Sequence, residues 1–111
     1  MTIGEILAHL GADVANIGDE EREVTRGIVG DLLSYVMGTA PENALWITIH
    51  GHLNVAAVAV LRDISCVILA GGRTPNPDFL ERCRAEGIAV GLVKDAAFDV
   101  CGKLWEIGLR G

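Results

Sequence analysis

Three short apolar runs, Leu45 to Ile49, Cys66 to Ala70 and Ile88 to Val93, alternate with helical segments through brief connections, and this alternation constrains the fold most. Successive strands joined through a helix run parallel, because an antiparallel pair would need only a hairpin. Such crossovers are right-handed and lay their helices over the sheet. The pattern predicts an α/β fold, a mostly parallel sheet flanked by helices.

Local signals place the helices. Thr2 and Glu5 form a capping-box pattern ahead of Ile3, Ile6, Leu7 and Leu10, and Gly11 supplies a stop. Ala12 to Ile17 reads as extended, and Val24 to Val29 as a second strand. Asp31 is placed to cap a helix carrying Leu32, Leu33, Val36 and Met37 that ends near Gly38. Asn76-Pro77 reads as a cap with proline in the first turn, and Gly87 closes that helix. Asp95 opens a last helix, predicted to turn Ala97, Phe98, Cys101, Leu104 and Trp105 inward.

The segment Val55 to Leu61 is compatible with either element, since its valines suit a strand and its alanines a helix. The preceding His50-Gly51-His52-Leu53-Asn54 reads as a strand exit and a helix cap at Asn54, so the segment is read as a helix. It has no polar face, so both of its sides need cover. Neighbours in the same chain could supply it. We expect instead a homodimer through Val55 to Leu61, because pairing two chains would also account for the high apolar content.

Half of the 111 residues are apolar and few are aromatic, which fits one globular domain over residues 1–111. The net charge is −6 and the nine basic residues are scattered, so no nucleic acid and no anionic membrane surface is expected as a partner. No apolar run approaches the roughly 18 to 20 residues of a membrane span, and the first residues lack a signal-peptide pattern. A cytoplasmic location is the expectation. Cys66, Cys83 and Cys101 lie in apolar stretches without CxxC spacing and read as buried free thiols.

In open α/β sheets, ligands bind beyond the carboxyl ends of the strands. Four loops qualify here: Gly30-Asp31, His50 to Asn54, Gly71 to Asn76, and Lys94-Asp95. The candidate ligand-binding residues are Asp31, His50, His52, Asn54, Gly71, Gly72 and Arg73. Two imidazoles around a glycine could hydrogen-bond, titrate or bind metal, but a zinc site needs further ligands that only Asp31 or Asp95 could bring; no metal is assigned. Gly71-Gly72-Arg73-Thr74-Pro75, between a strand and a helix, could hold an anion on backbone amides and a guanidinium. No phosphate loop, GxGxxG, GxSxG or HExxH occurs, so neither catalytic residues nor a cofactor are assigned, and the chain is expected not to be an enzyme.

Gly30-Asp31-Leu32-Leu33-Ser34, the stretch Leu45 to Ala59, Ile68 to Pro75 and Gly87-Ile88-Ala89-Val90 together resemble the DRTGG domain family over nearly the whole chain. The resemblance implies a domain similar to the N-terminal domain of HPr kinase/phosphorylase, also found attached to phosphotransacetylases and CBS-domain pyrophosphatases, where it is a regulatory or dimer-forming accessory. The Asp-Arg of the family's name would fall near Gly51-His52, and its Thr-Gly-Gly at Ala70-Gly71-Gly72, so only the two glycines match. His52 and Arg73 are the candidates for the missing pair's role.

The expected function is a non-catalytic regulatory or ligand-sensing module that homodimerises and takes a small anionic metabolite or nucleotide at the strand C-terminal loops. The alternative is a structural subunit that binds a partner protein. A weaker alternative is a small metal-assisted enzyme using His50 and His52.

Overall fold

Leu45, Trp46, Ile47 and Thr48 are all buried, as are Cys66, Val67, Ile68 and Leu69, so these two segments must be covered on both faces. The computed structural model, which describes residues 1–111, shows how. The elements are α1 (Ile3–Leu10), β1 (Asp13–Asn16), β2 (Gly27–Val29), α2 (Leu33–Thr39), β3 (Leu45–Thr48), α3 (Leu53–Leu61), β4 (Cys66–Leu69), α4 (Pro77–Glu86), β5 (Ala89–Leu92) and α5 (Ala97–Glu106). One five-stranded sheet has the order β1-β5-β4-β3-β2. The β2, β3, β4 and β5 ladder is parallel, with Leu45 opposite Cys66 and Cys66 opposite Ala89; β1 closes one edge antiparallel to β5.

Period-two alternation divides the core. Trp46, Val67, Leu69 and Val90 face one side, where they meet Val36 of α2, Val55, Ala56 and Ala59 of α3, and Phe79 and Cys83 of α4. Leu45, Ile47, Cys66, Ile68 and Ala89 face the other, against Ile3, Ile6, Leu7 and Leu10 of α1 and Val100 and Leu104 of α5. Each large side chain so buried contributes about 1.5–3 kcal/mol. Trp46 is wholly buried and its Nε1–H donates to the Gly30 carbonyl at 2.8 Å, which ties the exit of β2 to β3.

The mostly parallel sheet flanked by helices is as the sequence implies. The second strand is shorter than expected, Gly27–Val29 instead of Val24 to Val29. Val24 is pulled away because its amide donates to the Met1 carbonyl, part of a seam that ties residues 20–24 to the start of α1. The Thr2 half of the capping box forms, with the Glu5 amide donating to Thr2 Oγ1 at 3.2 Å, while the Glu5 carboxylate accepts the Thr2 hydroxyl instead of the Thr2 amide. Asp31, Asn54 and Asp95 do not cap: Leu32, His52 and Ala96 occupy those positions without side-chain capping bonds, and Asn54 lies inside the first turn of α3.

Much of the cover that α3 needs comes from this chain, and the inward placement expected of Phe98 and Trp105 is overturned. α3 packs between α2 and α4, so neighbours in the same chain bury Val55, Ala56, Val58 and Ala59. Only Leu53 at 43% and Leu61 at 68% exposure, with half-buried Ala57 and Val60, stay outward. In α5, Val100 and Leu104 point inward with half-buried Ala97 and Cys101, whereas Phe98 is 86% and Trp105 59% exposed. Phe98 and Trp105 sit seven residues apart on a stripe rotated off the core, and Arg110 stacks on Trp105 at 3.7 Å.

Replacing Trp46 by Phe is expected to lower stability by about 2 kcal/mol, combining a small cavity with the lost bond to Gly30. The effect would be read as an earlier urea midpoint at unchanged slope.

Candidate functional site

All four parallel strands deliver their following loops to one end of the sheet. Asp31 follows β2, and its carboxylate accepts the Thr48 hydroxyl at 2.7 Å and the Ile49 amide at 3.0 Å. Thr48 in turn accepts the His50 amide at 3.3 Å. The side chain expected to start a helix therefore holds together the exits of two strands. Burial alone would raise the Asp31 pKa, but the Ile49 amide, the Thr48 hydroxyl and the charges of His50 and Arg73 outweigh it and hold the carboxyl below its ordinary value of 3.8.

His50 and His52 project from the β3–α3 loop with rings stacked 5.3 Å apart and 26° from parallel. His52 Nδ1 pairs with the Asn76 side-chain amide at 3.0 Å, and the Asn76 backbone amide donates to the Gly51 carbonyl at 2.8 Å. Asn76 thus stands at the cap position that sequence assigns it, but its side chain makes no capping bond and locks two loops together instead. Gly51 is buried where they touch. A Cβ there would lie 2.7 Å from Pro75 Cα and 2.9 Å from Leu69 Cδ1.

Asp31, His50, His52 and Asn54 come together around a hollow of about 220 Å³ completed by Leu33 and Val55. The other three candidates lie across the 71–76 loop. Gly71 and Gly72 adopt left-handed backbone, with φ of 74° and 69°, a pairing that glycine adopts without a Cβ penalty. Their amides donate to the carbonyls of Asp95 at 2.7 Å and Val93 at 3.0 Å. These two N–H groups bind the β4 and β5 loops to each other, so neither is free for the anion contact expected of this loop, and the Arg73 side chain is exposed. Gly72 and Arg73 line a second hollow of about 490 Å³ with Thr74, Lys94, Asp13 and the apolar Leu10, Leu92 and Val93.

Sequence reasoning left out Thr48, Asn76 and Lys94. Thr48 and Asn76 act through pairings between loops distant in the chain, for which a single sequence has no local signal. Lys94 was visible as a loop residue at a strand end. No group of three or more His, Cys, Asp or Glu side chains is arranged to hold a metal ion. Burial pushes the Cys66 thiol up to about 12, with Cys83 adding to it, and Cys83 itself to about 11, so neither is a ready nucleophile. Cys101 is half-buried and its thiol is also raised by burial. No helix is long and apolar enough to cross a membrane.

Gly51→Ala is expected to cost about 1–3 kcal/mol, because the added carbon meets the Pro75 backbone and must displace the 71–76 loop. Amide exchange at Asn76 would rise with it. For Asp31, the folded pKa lies below the unfolded one, so its contribution is complete above about pH 4 and is lost as the pH falls through the folded value. Denaturant midpoints of wild type and Asp31→Asn should differ at pH 7 and converge on acidification.

A scan against protein-family models returns no match, and neither does a search of curated protein sequences. Among solved structures, the chain is similar to the crystal structure of the CBS and DRTGG domains of the regulatory region of Clostridium perfringens pyrophosphatase, complexed with its activator, diadenosine tetraphosphate. The TM-score is 0.77 at 22% identity, over 93% of this chain and 45% of that one. The chain thus spans less than half the length of that neighbour. What the likeness establishes is the fold, a five-stranded, mostly parallel sheet flanked by helices, similar to a DRTGG/CBS-type domain.

Proposed function

We propose that this chain is a regulatory, ligand-sensing module without catalytic activity of its own, which takes a small anionic metabolite or nucleotide at the strand C-terminal loops. The observation that carries this reading is that the loops after β2, β3, β4 and β5 form two hollows at one end of the sheet, one lined by Asp31, His50, His52 and Asn54 and the other by Gly72 and Arg73. Hydrogen-bonding groups and a guanidinium face the rim, with no activated nucleophile among them. The structural neighbour is a regulatory region bound to a nucleotide activator, which is consistent with this role.

The module is also proposed to act as a homodimer, with Leu53, Ala57 and Leu61 of α3 forming the outward stripe at i, i+4 and i+8. A second reading, a structural subunit that binds another polypeptide, is favoured by Phe98 and Trp105, because exposed aromatic side chains on one helix face are frequent anchors of protein interfaces.

Titration calorimetry with diadenosine tetraphosphate and ATP is expected to show saturable binding that weakens as salt is raised. Absence of binding at millimolar nucleotide would reject the sensing role in favour of the structural one. Sedimentation equilibrium should give the mass of two chains, and Leu61→Glu should weaken association at least about tenfold, or about 1.4 kcal/mol. A monomer at all concentrations would remove the dimer.

A further inference from the structure

We infer that the two hollows divide the work of recognition, and that a phosphate group is held in the larger one, between Arg73 and Lys94. This rests on the ligand-sensing reading above and adds to it the place of the anion and a second cation, Lys94.

The ionic inventory points there. The ion pairs of the molecule use the N-terminal ammonium, Arg22, Arg82 and Lys103; Arg73 and Lys94 belong to none of them. Both are exposed, both lie just beyond the ends of the adjacent parallel strands β4 and β5, and both line the same hollow of about 490 Å³. In a chain of net charge −6, two cations without a salt bridge on one concave surface form a local field that favours an anion. A guanidinium offers a planar fork that matches phosphate oxygens, and an ammonium adds a compact second charge.

Two carboxylates, Asp95 and Asp13, also line the hollow and offset part of this field. Asp95 is engaged by Lys103 at 2.6 Å. Asp13 also lines the hollow and accepts no ion pair, so it repels a phosphate placed beside it and accepts a hydroxyl or amino group instead. Leu10, Leu92 and Val93 give the hollow apolar wall. The lining therefore suits a phosphorylated metabolite carrying a hydroxyl or amine, and the volume lies in the range that encloses small ligands.

The histidine hollow is built differently. Asp31 contributes a carboxylate held in its charged form, which opposes a phosphate, and the His50, His52 and Asn54 side chains offer hydrogen-bonding groups. That hollow suits the uncharged part of a ligand. Arg73, which lines the larger hollow, is near enough to Asp31 to lower its pKa.

The test is calorimetry on the full chain with inorganic pyrophosphate and, separately, ATP, comparing wild type with Arg73→Met, Lys94→Met and Arg84→Met, the last at a cation of α4 that lines neither hollow. All three cations are exposed, so unchanged urea midpoints serve as the folding control. The expected result is that Arg73→Met and Lys94→Met each weaken pyrophosphate about tenfold or more, while Arg84→Met leaves it within about twofold. Pyrophosphate binding that Arg73→Met and Lys94→Met leave unchanged would overturn the inference and leave ligand sensing standing. If wild type bound neither pyrophosphate nor ATP, both would fall.

Discussion

The rest of the molecule depends on the two-sided burial of β3 and β4. A strand with no solvent-facing side must pair every backbone group within the sheet and give each successive side chain to a different helical layer. Leu45, Ile47, Cys66 and Ile68 turn toward α1 and α5, while Trp46, Val67 and Leu69 turn toward α2, α3 and α4. The only places where polar side chains can gather at the middle of such a sheet are the strand ends. Thr48, with 1% of its surface exposed, marks that boundary: its hydroxyl is matched by Asp31 and the His50 amide, so the last buried polar group of β3 is also the first element of the site.

Much of the fold was legible because local signals agreed with the global arrangement. The β-branched run Leu45 to Ile49, the capping box at Thr2 and Glu5, and the Asn76-Pro77 start each recur at the expected place. What escaped was decided by neighbours. The all-apolar α3 could not reveal from its own residues whether α2 and α4 or a second chain covered it. Phe98 and Trp105 are apolar in a helix whose burial is settled by Val100 and Leu104, and only the packing angle of α5 shows that they point away. Strand order, and the short edge strand β2, depend on pairings no single segment encodes.

The candidate site was legible in its loops but not in its partition. Asp31, His50, His52 and Asn54 converge, yet Gly72 and Arg73 line a different hollow and Gly71 lines neither. Asp31 exemplifies why: a short acidic side chain after a strand satisfies helix-capping statistics equally well whether it bonds its own helix or the next strand. Its two bonds to Thr48 and Ile49 choose the second, and they fix the register between β2 and β3 beyond their ladder.

The Gly71 and Gly72 amides have one further consequence. By donating to Asp95 and Val93, they fasten adjacent loops edge to edge, and Asn76 fastens the same loop to Gly51 on the other side. The rim is therefore laced shut along its length before anything arrives. The entropy of ordering it is lost once, during folding, so a ligand of the proposed kind would meet a preformed lip, its arrival rate governed by diffusion and electrostatic steering instead of by loop closure.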